Sequence, residues 1–169
     1  MYLKNENFES SSRYFSREVK SVSKIIQVSP QTNCFSPLIL IVEDDEDTRL
    51  MLKYLLEIWN YQVIEATAGE EAVQMATREK PDVILMDYRL PRIDGLATTE
   101  QIRKQPTLAD TVIIFVSANS EPSVRASAFA VGGDDFLVKP IDFGDLELSL
   151  HKHLKSKNKW KETLVSKVL

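Results

Sequence analysis

Four places in this chain carry residues that could act together on a charged ligand. Glu43-Asp44-Asp45 is an unbroken acidic run, Asp87 closes the apolar run Val83-Ile84-Leu85-Met86, Ser117 follows Thr111–Val116, and Lys139 follows Phe136-Leu137-Val138. Carboxylates packed together repel, and each raises its neighbour's pKa unless a cation neutralises them. Oxygen donors without His or Cys point to a hard ion, Mg2+ before zinc. Mg2+ keeps several waters and takes one or two carboxylates plus a phosphate, so a phosphoryl group suits the missing place. Taken alone, the acidic triplet could equally solvate a helix N-terminus, where the dipole favours acids. An Asp and a Lys at further strand ends argue for the cation.

These residues need elements that bring them to one rim. Leu38–Val42 is a continuous apolar run, three of its five residues β-branched, as in a strand buried on both faces. Leu50, Met51, Tyr54, Leu55 and Ile58 then recur at helical spacing. Strands are expected at Gln62–Thr67, Asp82–Asp87, Thr111–Val116 and Phe136–Val138. Helices are expected at Gly69–Glu79 (Ala72, Val73 and Ala76 inward), Asp94–Gln105, Glu121–Val131 and from Asp142 onward, with Gly132-Gly133 ending the fourth. Strict βα alternation calls for an α/β fold, a doubly wound five-stranded parallel sheet with helices on both faces. Periodicity alone leaves both common strand orders open. It does place ligands outside the carboxyl ends of the strands, where the acids, the serine and the lysine stand.

Composition narrows the class. With 43% hydrophobic and 27% charged residues among 169, the chain is globular, and no window approaches a membrane span. The N-terminus lacks the apolar stretch of a signal peptide, so a cytoplasmic protein is expected. A lone Cys34 supplies neither a disulfide nor a zinc site. Residues 1–36, rich in Ser, read as a flexible extension with a short helix around Arg17–Ile26; 37–155 is the folded domain, and 156–169 a Lys-rich tail. The segment 37–150 holds ten basic and twenty-one acidic residues, whereas 151–169 holds six Lys against one Glu. An acidic body with basic ends argues against a main surface that holds nucleic acid.

The strings ILIVEDDEDTR, VILMDYRLPRIDG, VIIFVSA and DFLVKP occur in this order, with Ser117 30 residues and Lys139 52 residues after Asp87. Over about Leu38 to Lys155 this resembles the receiver domain of two-component response regulators. The resemblance implies a flavodoxin-like (βα)5 fold with strand order 2-1-3-4-5. It implies Asp87 as phosphoacceptor, supplied by a histidine kinase or a phosphotransfer protein. Asp44 would bind Mg2+ directly, Glu43 through a coordinated water, and the Arg89 backbone carbonyl would join them beside Asp87. Lys139 and Ser117 would pair with the phosphoryl oxygens. Asp45 is left without a ligand role and faces solvent. Pro91 and Gly95 match the loop after the phosphoacceptor, and Lys139-Pro140 is expected cis.

Phe136 matches the aromatic that changes rotamer as the fourth strand's hydroxyl moves; Ser117 and Phe136 would form the switch. Arg89 and Asn119 occupy the two positions that tune phosphate lifetime. The face of the fourth helix, fifth strand and fifth helix, with Ala126, Ala128, Ala130 and Phe136, would dock partners, giving a monomer or weak dimer. His151 and His153 read as solvated helix residues. With only the Lys-rich tail after the fifth helix, a single-domain regulator is expected, signalling to an unknown protein target by docking or onward relay, without direct DNA binding or membrane attachment. The alternative is a pseudo-receiver that binds partners without phosphorylation; it would lack acids or the lysine that are present here. A haloacid-dehalogenase type phosphatase needs a second Asp two residues after the nucleophile, where Arg89 stands.

Overall fold

A computed structural model describes residues 36–165, with side chains to 155. Residues 1–35, with the helix expected at Arg17–Ile26 and Cys34, and the side chains of the 156–169 tail lie outside the described residues. The apolar runs become the parallel strands β1 (Leu38–Val42), β2 (Gln62–Ala66), β3 (Val83–Asp87), β4 (Val112–Ser117) and β5 (Asp135–Val138). Between and after them run α1 (Glu46–Ile58), α2 (Gly69–Glu79), α3 (Gly95–Arg103), a short 3-10 turn (Pro106–Leu108), α4 (Pro122–Ala130) and α5 (Phe143–Val165). The sheet order is β2-β1-β3-β4-β5, the order that the motif resemblance implied. The backbone of α5 continues past the boundary drawn at 155. No described helix is long and apolar enough to cross a membrane.

Successive strand residues face opposite ways, so each strand feeds two cores. Leu40, Val42, Ile84, Met86, Ile113 and Phe115 meet Ala72, Ala76, Ile102 and Ala128 from α2, α3 and α4. Ile39, Ile41, Val83, Leu85 and Ile114 meet Leu52 and Leu56 of α1 and Leu146, Leu150 and Leu154 of α5. The buried face of α1 differs from the stripe expected for it. Leu52 and Leu56 are buried, while Met51, Tyr54 and Ile58 are 40%, 62% and 80% exposed. This helix carries more apolar side chains than one face can hold. Turning Leu52 and Leu56 inward keeps the Tyr54 hydroxyl in water, where it needs no protein partner.

Arg103, at the end of α3, ties this helix to the loops around β4 and β5. Its guanidinium donates to the carbonyls of Gly132 (2.9 Å), Thr111 (2.7 Å) and Leu108 (3.2 Å), and to Asp134 (2.8 Å). The side chain is only 20% exposed. Arg103→Ala should therefore lower the unfolding free energy by roughly 2–4 kcal/mol in a urea titration, because several half-buried acceptors lose a charged donor at once. Arg103→Lys should recover little of it, since one ammonium cannot span four acceptors.

Candidate functional site

Parallel strands end on one side, and at four of the five the sequence places an acid, a serine hydroxyl or a lysine there. Glu43 follows β1, Asp87 ends β3, Ser117 ends β4, and Lys139 follows β5. Backbone bonds hold these ends in step: Glu43 N–H donates to Ala66 O, Tyr88 N–H to Val116 O, and Lys139 N–H to Ser117 O (2.8–3.1 Å). Asp87 pairs with Val116, one residue from Ser117.

The side chains converge. The Lys139 ammonium donates to Glu43 Oε2 at 2.7 Å and to Asp87 Oδ2 at 2.8 Å. The other Asp87 oxygen accepts the Arg89 backbone N–H at 3.0 Å. Glu43 is 2% exposed and Asp87 7%, whereas Asp44 is exposed. Carboxylate oxygens of Glu43, Asp44 and Asp87 all lie within 4.8 Å of one another. Burial pushes the Glu43 carboxyl up to about 7, with Asp87 adding repulsion and Lys139 opposing both. Burial works against the Lys139 ammonium, but its hydrogen bonds to Asp87 and Glu43 outweigh this and hold its pKa above the usual lysine value. An all-oxygen cluster with one ammonium suits a hard divalent cation.

The neighbouring loops are built to keep this geometry. Gly95 opens α3 so close to Asp87 that a Cβ would stand 2.2 Å from the Asp87 carbonyl oxygen, so only glycine fits. Asp94 caps the helix by accepting the Ala97 N–H at 2.8 Å. Arg92, in the left-handed region at φ 68°, is clasped by Glu70 through two bonds of 2.9 and 3.1 Å. The Lys139-Pro140 bond is cis. Asn119 stands two residues beyond Ser117, donating its N–H to Ser117 Oγ and accepting the Glu121 N–H. Arg89 is exposed, and among the described residues its guanidinium pairs with no carboxylate.

Several sequence expectations need correction. Asp45 is exposed and outside the acidic cluster, as expected, but it also has a structural role. It caps α1, accepting the Thr48 N–H at 2.8 Å, and Thr48 holds its carboxyl below the usual range. An Asp just before the first helical residue is itself the signal for that role. His153 is not a freely solvated residue; its Nε2 lies 3.2 Å from Asp135 Oδ2, which also accepts from Ser149. His151 is exposed, as expected. Ala128 and Phe136 are buried in the core, so of the expected docking face only Ala126 and Ala130 are open. The exposed large apolar residues of α4, β5 and α5 are instead Phe129, Val138, Phe143 and Leu148. The Arg125 guanidinium lies over both Phe129 and Phe136, 5.5 and 5.6 Å from the ring centres. Arg49, which no motif singled out, donates to the Glu43 carbonyl.

The raised Glu43 pKa has a measurable sign. The unfolded chain gives up this proton near 4.5 and the folded one near 7, so without divalent metal this group costs stability as pH rises between those values. Glu43→Gln should leave stability at pH 4.5 little changed and raise it at pH 8 by roughly 1–3 kcal/mol in metal-free thermal or urea unfolding. A variant less stable at pH 8 than the parent would contradict this reading.

Comparison with known proteins agrees with this geometry. Residues 39–151 match the response regulator receiver domain family. The alkaline phosphatase synthesis transcriptional regulatory protein PhoP of Bacillus subtilis is 38% identical over 103 residues, covering 61% of this chain and 42% of that protein. The probable transcriptional regulator ycf27 of Porphyridium aerugineum is 34% identical over 121 residues, covering 72% and 49%. The chain thus spans about half the length of the curated relatives it matches. Among solved structures, the receiver domain of sensor histidine kinase PA1611 from Pseudomonas aeruginosa, with magnesium coordinated in its active site cleft, is 32% identical with a TM-score of 0.67. That match covers 71% of this chain and 98% of the other. The chemotaxis response regulator CheY4 of Vibrio cholerae is 28% identical with a TM-score of 0.67, covering 70% and 98%. Fold, rim and sequence match together place this chain in the receiver domain family of two-component response regulators.

Proposed function

We propose that Asp87 is a phosphoacceptor, charged in a Mg2+-dependent step by a histidine kinase or a phosphotransfer protein. The observation that carries this reading is the Asp87 carboxylate, fastened by the Lys139 ammonium and the Arg89 amide with two further acids within 4.8 Å. A carboxylate oxygen of Asp87 forms the new P–O bond while the P–N bond of the donor phosphohistidine breaks, and the departing imidazole takes up a proton. Asp44, Asp87 and the Arg89 carbonyl would hold Mg2+, with Glu43 acting through a water. Bound there, Mg2+ would neutralise charge on the transferring phosphoryl oxygens. Lys139 meets another of those oxygens with its ammonium, and the buried Ser117 hydroxyl donates to one from the end of β4. Phe136, directly beside Phe115 in the β4–β5 register, would couple movement of Ser117 to the α4–β5–α5 face. Arg125 over its ring would set how readily it leaves.

Receivers are signalling proteins, not typical enzymes, and this one would act in the cytoplasm by docking on a protein partner or passing the phosphoryl group on. A pseudo-receiver that binds partners without phosphorylation is the competing reading, and the intact acid and lysine set speaks against it.

With Mg2+ present, acetyl phosphate should label the protein at one site, and Asp87→Asn should abolish labelling; full labelling of the variant would refute the assignment. Asp44→Asn should weaken Mg2+ binding by tenfold or more in calorimetry, since it removes a directly bound charge.

Arg89 is exposed two residues beyond Asp87, and we assign its side chain to tuning phosphate lifetime. Folded across the phosphoryl group, its guanidinium would pair with the oxygens and obstruct hydrolysis. Arg89→Ala should then release phosphate several-fold faster after donor removal in excess Mg2+. An equal or slower rate would mean the side chain stays in solvent and only its backbone serves the site.

A further inference from the structure

Adjacent residues of an extended chain point to opposite faces. Glu43 and Asp44 can therefore serve one ion only if the chain turns between them, and their oxygens do stand within 4.8 Å although one side chain is buried and the other exposed. Three contacts hold this turn. Glu43 N–H donates to Ala66 O at 3.1 Å, and Asp45 accepts Thr48 N–H at 2.8 Å. The third is Arg49, whose Nη1 donates to Glu43 O at 3.0 Å and reaches Asp44 O at 3.4 Å. Of the three, it alone engages both acids.

Arg49 is itself held. Its Nε lies 3.4 Å from Glu65 Oε2, and Lys53 approaches the other Glu65 oxygen at 2.5 Å. The Arg49 side chain is 14% exposed, so the guanidinium sits wedged between the end of β1, the first turns of α1 and the outer strand β2. Its planar fork suits two carbonyls and a carboxylate at once, which a lysine ammonium does not.

We infer that Arg49 is a positioning residue for the divalent-cation site, fixing the peptide planes of Glu43 and Asp44 and through them where both carboxylates stand. The inference rests on the metal reading above. It carries a sign that separates it from simple electrostatics. A cation beside the site repels Mg2+, so Coulomb's law alone makes Arg49→Ala bind Mg2+ more tightly. Loss of positioning makes it bind more weakly, by the tenfold or more typical of residues that orient metal ligands.

The experiment is Mg2+ titration calorimetry on the full chain, comparing the parent with Arg49→Ala, Arg49→Lys and Arg103→Ala. Arg49→Ala should bind Mg2+ about tenfold more weakly. Arg49→Lys keeps the charge but loses the fork, and should be several-fold weaker. Arg103→Ala, which loosens the fold far from β1, should bind as the parent does. Parent-like or tighter binding by Arg49→Ala overturns the inference while leaving the metal reading standing. If that variant does not fold, parent-like affinity in Arg49→Lys overturns it equally. A parent protein that takes up no Mg2+ overturns the metal reading, and the inference with it.

Discussion

Two carboxylates almost withdrawn from water, Glu43 and Asp87, share a single ammonium, Lys139. Much else in the molecule follows from that arrangement. Burying two acids side by side is costly unless a counter-charge reaches both, and the nearest covalent route from Glu43 to Lys139 is 96 residues long. The parallel sheet delivers the ends of β1, β3, β4 and β5 to one side, and the order 2-1-3-4-5 sets β1 beside β3 with β4 and β5 alongside. One ammonium against two buried acids and an exposed third leaves the rim short of positive charge. That imbalance is what a divalent cation or an incoming partner can exploit.

Much of the fold was legible because its strands are buried on both faces and so read as unbroken apolar runs. Val83–Asp87 and Val112–Ser117 are buried throughout, and nothing in them competes with a strand. The rim residues were legible for a related reason: a polar residue that ends such a run marks where the strand leaves the apolar core. Less legible was whatever depends on two elements meeting. The sequence of α1 permits more than one stripe, and the one buried is that whose Leu52 and Leu56 share a core with the strands and α5. His153 is paired because Asp135 opens β5 opposite the third turn of α5. Ala128 is buried because α4 packs its middle against the Phe115 side of the sheet. Arg49 contacts backbone carbonyls, and carbonyls are anonymous in sequence, so its place in the site had no local sign.

The two cores divide the labour of the molecule. α1 and α5 pack on one face through leucines, and α2, α3 and α4 pack on the other largely through alanines and glycine approaches. The close approach on the second side brings the loop after Asp87 against the sheet end and leaves Arg125 lying across Phe136 near the surface. On the first side, the leucine layer leaves Met51, Tyr54 and Ile58 facing outward from the same helix whose N-terminus Asp45 caps.

The distance in sequence between Glu43 and Lys139 also has a consequence in time. A chain synthesised from its N-terminus acquires its buried acids early and their shared counter-ion late, because β5 is the last of the five sheet strands to be made. Until β5 docks against β4, the rim holds mutually repelling carboxylates and lacks the ammonium that draws them together. A rim complete with its ammonium therefore requires β1, β3 and β5 all to be in place in one sheet.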